Sequence, residues 1–172
     1  LIQEQTVSGV ATCNFTNIQG ANYDVHLLQC TGLRFSTGNT AVHMRFSNDG
    51  GSSFEAGGSA YQYANQLGEV GGSFAEEKST GISYIRVMPN IGDIATETGN
   101  GYIYLYNLNN SAKYSFSTTQ SMGIRASASD GRMYFGGGVY PTAETINAVQ
   151  ILSTDSGVTL TGTIKLFGVK QI

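Results

Sequence analysis

Tryptophan is absent from this sequence, and its 172 residues include only two cysteines, two prolines and two histidines. Charge is also scarce: Asp, Glu, Lys and Arg make up 12% of the chain, about half the ordinary share. Each shortage excludes something. With a net charge of −3 and no basic run, the chain lacks the electrostatic footprint of a nucleic-acid binder. No apolar stretch approaches the ~20 residues of a membrane span, and the N-terminal residues do not read as a signal peptide. Cys13 and Cys30 fall in expected strands, and no second ligand pair stands at zinc spacing, so two buried free thiols are expected. Scarce charge costs solubility, which points to a chain that lives in an assembly.

What is present is 40% hydrophobic residues, 23 glycines, ten tyrosines and eight phenylalanines, with Ser, Thr and Asn dominating the polar side. This is the composition of a many-stranded β protein with frequent turns, and a disordered chain would need more charge and fewer apolar residues. The length suits one domain over 1–172, with Leu1–Thr6 set apart as an extended arm. The sequence begins at Leu1 rather than Met, so processing, trimming or excision from a longer polypeptide is expected.

Residues 101–108, Gly-Tyr-Ile-Tyr-Leu-Tyr-Asn-Leu, organise the reading. Side chains alternate along a strand, so Tyr102, Tyr104 and Tyr106 share one face and Ile103 and Leu105 the other. A strand with one wet face alternates apolar and polar residues. This one does not, so both faces are expected to be covered, one by a second sheet and the other by more of this chain or a neighbouring copy. These five residues are the interface candidates, since tyrosine offers a flat apolar body and a hydroxyl that can stay wet.

Elsewhere, strands are expected over Val7–Ile18, with Cys13 and Phe15 inward, and over Tyr23–Thr31. Ala41–Phe46 follows, with Val42, Met44 and Phe46 inward and His43 and Arg45 outward. Residues 55–80 read as a long excursion with one short strand. Gly81–Pro89 reads as a strand ended by its proline. Lys113–Met122 is expected with Tyr114 and Phe116 inward, and Ile124–Gly131 as a small-residue turn. Arg132–Val139 follows, interrupted by Gly136–Gly138 as a bulge or a close backbone approach. Ile146–Leu152 and Gly162–Lys170 complete nine or ten strands. The fold expected is an antiparallel β-sandwich of jelly-roll type, with Val42, Met44, Phe46, Phe116, Phe135, Ile151 and Leu166 in the core.

One local motif stands out. Ser47, Asp49, Gly51, Ser53 and Phe54 match an Asp box, a hairpin turn in which the aspartate bonds loop backbone. Sialidase propellers repeat this box several times, whereas here it occurs once and reads as a structural turn. No chemistry accompanies it. His26 and His43 have no Cys, Asp or Glu at metal-ligand spacing, and no nucleophile elbow or phosphate loop occurs. Glu76 and Glu77 beside Lys78 read as a solvated cluster, pointing apart on a strand rather than flanking a glycosidic bond. No cofactor, metal or catalytic residue is expected.

The last strand, Gly162-Thr-Ile-Lys-Leu-Phe-Gly-Val-Lys170, resembles that of a family of phage-encoded β-sandwich proteins ending in Gly-x-x-x-Leu-Tyr-Gly-Ile-Lys. Thr6–Ile18 is similar to that family's opening strand. Tyr23-Asp24 is similar to its Tyr-x-Asp segment, although here the two residues are adjacent. Gly101–Asn109 is similar to its Ile-x-Ile-x-Ile-Pro-Asn strand, with Asn107 or Leu108 in place of the proline. The resemblance implies a non-enzymatic virion protein and carries no catalytic residues. The expectation is an oligomer, a trimer by preference, on the particle exterior, decorating the capsid against its major capsid protein. The sequence shows no heptads or collagen-like repeats of a fibre shaft, which favours decoration over the alternative, a tail-fibre tip recognising host surface glycans. For that alternative Tyr61, Tyr63, Tyr134 and Tyr140 are the candidate stacking platforms, weakened by the missing tryptophan.

Overall fold

The computed structural model describes residues 1–125 and 130–170. Twelve strands follow one another: β1 (Gln3–Val10), β2 (Thr12–Phe15), β3 (Val25–Phe35), β4 (Thr40–Ser47), β5 (Tyr61–Glu69), β6 (Phe74–Ile82), β7 (Ile85–Ile91), β8 (Gly99–Tyr106), β9 (Ser115–Ile124), β10 (Gly131–Tyr140), β11 (Ala148–Leu152) and β12 (Leu160–Val169). Among the described residues the only helical element is a single 3-10 turn at Gly20–Asn22. The strands form an antiparallel β-sandwich of unequal halves. One sheet has the order β1-β12-β3-β8-β9-β10-β5-β6 and the other β2-β11-β4-β7. Between them lies a core that includes Phe15, Phe35, Phe46, Leu28, Met44, Ile85 and Ile103, all excluded from solvent.

Twelve strands rather than nine or ten result from two segments. Val7–Ile18 divides between the sheets, and residues 61–82 form a hairpin of two nine-residue strands where one short strand was expected. The excursion is thus an extension of the large sheet. Leu1–Thr6 is not free as an arm, since Gln3–Thr6 pair with Thr163–Leu166 at the sheet edge. Pro89 lies inside β7 and does not end it. The strand tolerates it because β7 is an edge, and its pairing with β4 steps from Met88 to Asn90 across a bulge. Most of the expected 124–131 turn, residues 126–129, lies outside the described residues.

The expected core needs one correction. Val42, Met44, Phe46, Ile151 and Leu166 are buried, but Phe116 and Phe135 are each 43% exposed on the opposite side of the large sheet. Tyr114 is likewise exposed rather than inward. The cause is the nearness of β7. Cβ atoms built on Gly99 and Gly123 would come within 2.9 and 2.8 Å of Ile91 Cγ2, and one on Gly138 within 2.5 Å of Ile85 Cγ2. Space above β9 therefore admits only small side chains, and Ser115, Ser117, Thr119 and Ser121 fill it. Phe116 and Met122 of β9 and Met133 and Phe135 of β10 turn outward, while Tyr134, like Tyr140 at the strand end, is a large side chain that β10 keeps inside. The Gly136–Gly138 run makes no bulge, because the ladders to β5 and β9 continue through it. It is instead the place of close approach.

Candidate functional site

The outward face of the large sheet is the candidate. Ile103 and Leu105 are fully buried in this chain's own core, so of the five interface candidates only Tyr102, Tyr104 and Tyr106 are available to a partner. The three rings stand in a ladder, with centroids 5.8 and 6.4 Å apart. Their hydroxyls reach across to β9: Tyr102 donates to Gln120 at 2.6 Å, and Tyr106 meets the Thr118 hydroxyl at 3.3 Å. The tyrosines are held upright yet open. Rather than folding over them, the 61–82 hairpin extends the sheet sideways beyond β10.

Register assembles their neighbours into rows. One row crosses Ala64, Gly137, Thr118, Tyr104, Leu27 and Phe167, and the next crosses Gln66, Phe135, Gln120, Tyr102, Gln29 and Lys165. Met122 and Met133 pair directly beyond them, and Met122 is 53% exposed. Outward positions within 25–31, 62–68, 100–106, 116–122 and 133–139 contain no Asp, Glu, Lys or Arg. Charge appears on the flanking strands and is paired there: Lys78 with Glu76 at 2.5 Å on β6, and Lys165 with Glu4 at 3.4 Å between β12 and β1. Uncharged, aromatic and methionine-bearing centres with a charged rim characterise protein interfaces. The face is not flat. The bare Gly137 and the small Ala64 leave a hollow of about 460 Å³ walled by Phe116, Val139, Gln62 and Lys78.

The proposed glycan platforms are corrected by burial. Tyr61 and Tyr134 have no exposed surface and Tyr140 almost none. Tyr61 accepts from the Phe46 amide at 2.8 Å and donates to the Glu55 carbonyl, while Tyr134 accepts from Asn65 at 3.1 Å. Burial raises both phenols above their ordinary range, and that of Tyr140, which donates to Glu144, is pushed up to about 12. Tyr63 is half-buried with one ring face taken by Tyr84. Tyr61, Tyr134 and Tyr140 thus offer no free ring face to a sugar.

The single Asp box is a tightly bonded turn. Asp49 accepts from the Ser53 amide and hydroxyl at 3.0 and 2.6 Å and from the Ser47 hydroxyl at 2.7 Å, which holds its carboxyl well below the usual range. Ser47 in turn accepts from the Gly51 amide, and Phe54 is half-buried. With every carboxylate oxygen engaged in the turn, Asp49 is occupied structurally.

Neither histidine joins a reactive cluster. His26 is buried against the Ile18 carbonyl at 2.8 Å, and burial lowers its pKa. His43, expected outward, does leave the core side of β4 but is covered by Tyr84 at 3.7 Å between ring centroids. Burial, with Arg86 and Arg45 nearby, lowers its pKa to about 3. Among the described residues no three His, Cys, Asp or Glu side chains converge as metal ligands would. The 76–78 cluster divides: Glu76 and Lys78 are solvated, but Glu77 points to the inner side and pairs half-buried with Arg86 at 2.9 Å.

No family model matches the chain, and no curated protein sequence matches it. Among solved structures, that of the CspB protease of Clostridium perfringens is 8% identical, covering 91% of this chain and 25% of that one, with a TM-score of 0.18. A structure of botulinum neurotoxin type C is also 8% identical, covering 88% of this chain and 35% of that one, with a TM-score of 0.18. The chain thus spans only about a quarter to a third of either structure. Likeness at that level carries no argument about fold or function.

Proposed function

We propose that this protein is a non-enzymatic structural component of the exterior of a phage particle, an oligomer joined through the outer face of its large sheet and acting as a capsid decoration protein. The observation that carries the self-association is the uncharged centre of that face, bordered by charges already paired. Eight strands about 4.8 Å apart and roughly seven residues long span roughly 800 Å². A stable interface of standard size buries about that area per partner. A second copy of this chain suits it better than a charged partner, because the face offers no unpaired charge at its centre. Aromatic rows and the Gly137 hollow provide matching relief for such a copy.

Support for the phage reading comes from the resembling segments. Thr6–Ile18 runs through β1 and on to β2 of the small sheet, Gly162–Val169 lies in β12 and Gly101–Tyr106 in β8, while Tyr23-Asp24 leads into β3. Of these strands β1, β12, β3 and β8 are neighbours in the large sheet.

Sedimentation of the wild type and of Phe116→Lys tests the contact. A trimer, or a two-fold pair that a broad face also permits, should dissociate in the variant, and a wild-type monomer at micromolar concentration overturns the reading. Cryo-EM of the particle tests the location. Density at capsid symmetry sites supports decoration, and density confined to tail or fibre ends overturns it.

A further inference from the structure

The loop between β8 and β9 builds a second site, away from the centre of the outer face. Its polar half is a hollow of about 300 Å³ lined by Asp24, Asn107, Asn109, Asn110 and Lys113. Its apolar half, which shares Asn107 and Lys113, is lined by Ala112, Tyr114, Phe116 and Ala143. The polar half is at the lower end of the size range of small-molecule pockets.

The loop is held in shape before any ligand arrives. Leu108 is buried, and its carbonyl accepts from the Ile146 amide at 2.7 Å. Two successive turns follow, closed by Asn110 N to Asn107 O at 3.0 Å and Lys113 N to Asn110 O at 3.2 Å. Asn107 adopts a left-handed conformation, φ 63°, and its side chain donates to the Tyr114 carbonyl at 3.1 Å. The 19–22 turn packs against Asn109, so closely that a Cβ on Gly20 would stand 3.0 Å from Asn109 Cβ. A ligand would therefore meet a fixed loop and lose little affinity to ordering it.

What remains exposed is a chemically mixed set: the Asp24 carboxylate, the Asn109 amide, the Lys113 ammonium, and the ring of Tyr114, 48% exposed. Neither Asp24 nor Lys113 has an ion-pair partner among the described residues. Vicinal hydroxyls, each both donor and acceptor, match a carboxylate, an amide and an ammonium placed together. The Tyr114 ring offers the apolar face that a sugar ring stacks upon, and two alanine methyls beside it leave room for a small apolar group. Formal charges of the hollow cancel, which gives an anionic ligand no advantage over a neutral one.

We propose that this loop end binds the terminal N-acetylhexosamine of a neutral glycan. Ring hydroxyls occupy the Asp24, Asn109 and Lys113 side, and the acetamido methyl enters the space beside Ala112, Ala143 and Tyr114. Unlike Tyr61, Tyr134 and Tyr140, Tyr114 has an open ring face. The site does not rest on the phage reading, and it shares only Phe116, at its apolar edge, with the oligomer contact.

Saturation-transfer NMR and calorimetry with N-acetylglucosamine, N-acetylgalactosamine, glucose, galactose and N-acetylneuraminic acid test it. Saturable binding of an N-acetylhexosamine is expected, with the corresponding hexose and the acidic sugar roughly tenfold weaker. Tyr114→Ala and Asn109→Ala should each weaken it by roughly tenfold or more, with unchanged melting temperature and sedimentation. Absence of binding by both N-acetylhexosamines overturns the proposal, as does equal binding of plain hexoses or binding indifferent to both substitutions. Phe135→Lys, on the outer face but outside both halves of this site, should break the oligomer and leave sugar binding in place, so the two readings fail separately.

Discussion

The Thr119 hydroxyl donates to the Val87 carbonyl at 2.7 Å, from the inner face of the large sheet to the free edge of the small one. Asn65 serves the neighbouring Arg86 carbonyl in the same way at 3.2 Å. An open edge strand presents unpaired backbone groups that invite another chain, and these two side chains occupy them. Thr119→Val preserves shape and removes the donor, leaving a buried carbonyl unpartnered. We expect a loss of about 1–3 kcal/mol, measured as a lower urea midpoint at unchanged slope. An unchanged midpoint would mean that this carbonyl needs no protein partner.

Two phenylalanines with opposite placements separate folding from assembly. Phe46 is fully buried, so Phe46→Ala should cost about 3–5 kcal/mol. Phe116 is on the open face, and Phe116→Lys should cost about 1 kcal/mol or less in the monomer while abolishing self-association. Denaturant titration and sedimentation on the same samples give both answers. A large stability loss in monomeric Phe116→Lys would place that ring in the core after all.

Acid should weaken the fold through its histidines. His26 and His43 both have lowered pKa values, His43 to about 3, because burial disfavours the cation. Well above the unfolded pKa of about 6.5 each is neutral in both states and contributes no pH dependence. Below it the unfolded chain binds a proton that folded His43 refuses, so stability falls by about 1.4 kcal/mol per pH unit for that proton until about pH 3. Melting temperature should therefore decline from pH 7 to pH 4, and His43→Gln should flatten the decline. Identical slopes in both proteins would remove His43 as the cause.

The thiols should be silent. Cys13 and Cys30 are free and buried, and burial pushes their pKa values up to about 11 and about 12. The thiolate is the reactive form, so alkylation at pH 8 should be slow in the folded protein and fast in denaturant. Intact-mass measurement should show both thiol hydrogens present. A mass lower by those two hydrogens would establish a bridge instead.

The strands were largely legible because alternation is a local property. Val42, Met44 and Phe46 alternate with His43 and Arg45 in sequence, and the pleat of β4 turns the first three into the core. In β8, alternation likewise separated Tyr102, Tyr104 and Tyr106 from Ile103 and Leu105, although it could not say that one set was core and the other open. The 61–82 hairpin was obscured by its glycines and polar residues. Both strands lie at the end of the large sheet, and much of β6 is solvated, so a strong apolar pattern was never required.

Composition and alternation alone determined that this chain is an all-β sandwich with scarce charge and one aromatic strand at its centre. Which face of β9 and β10 meets the core was decided only in three dimensions. Ser115, Ser117, Thr119 and Ser121 alternate with Phe116, Thr118, Gln120 and Met122, and the larger apolar set would ordinarily point inward. Ile85 and Ile91 of β7 press so near to Gly99, Gly123 and Gly138 that no side chain fits at those positions. Close packing between sheets, a contact between residues distant in sequence, thus outweighed hydrophobicity and sent Phe116, Met122, Met133 and Phe135 outward to make the face.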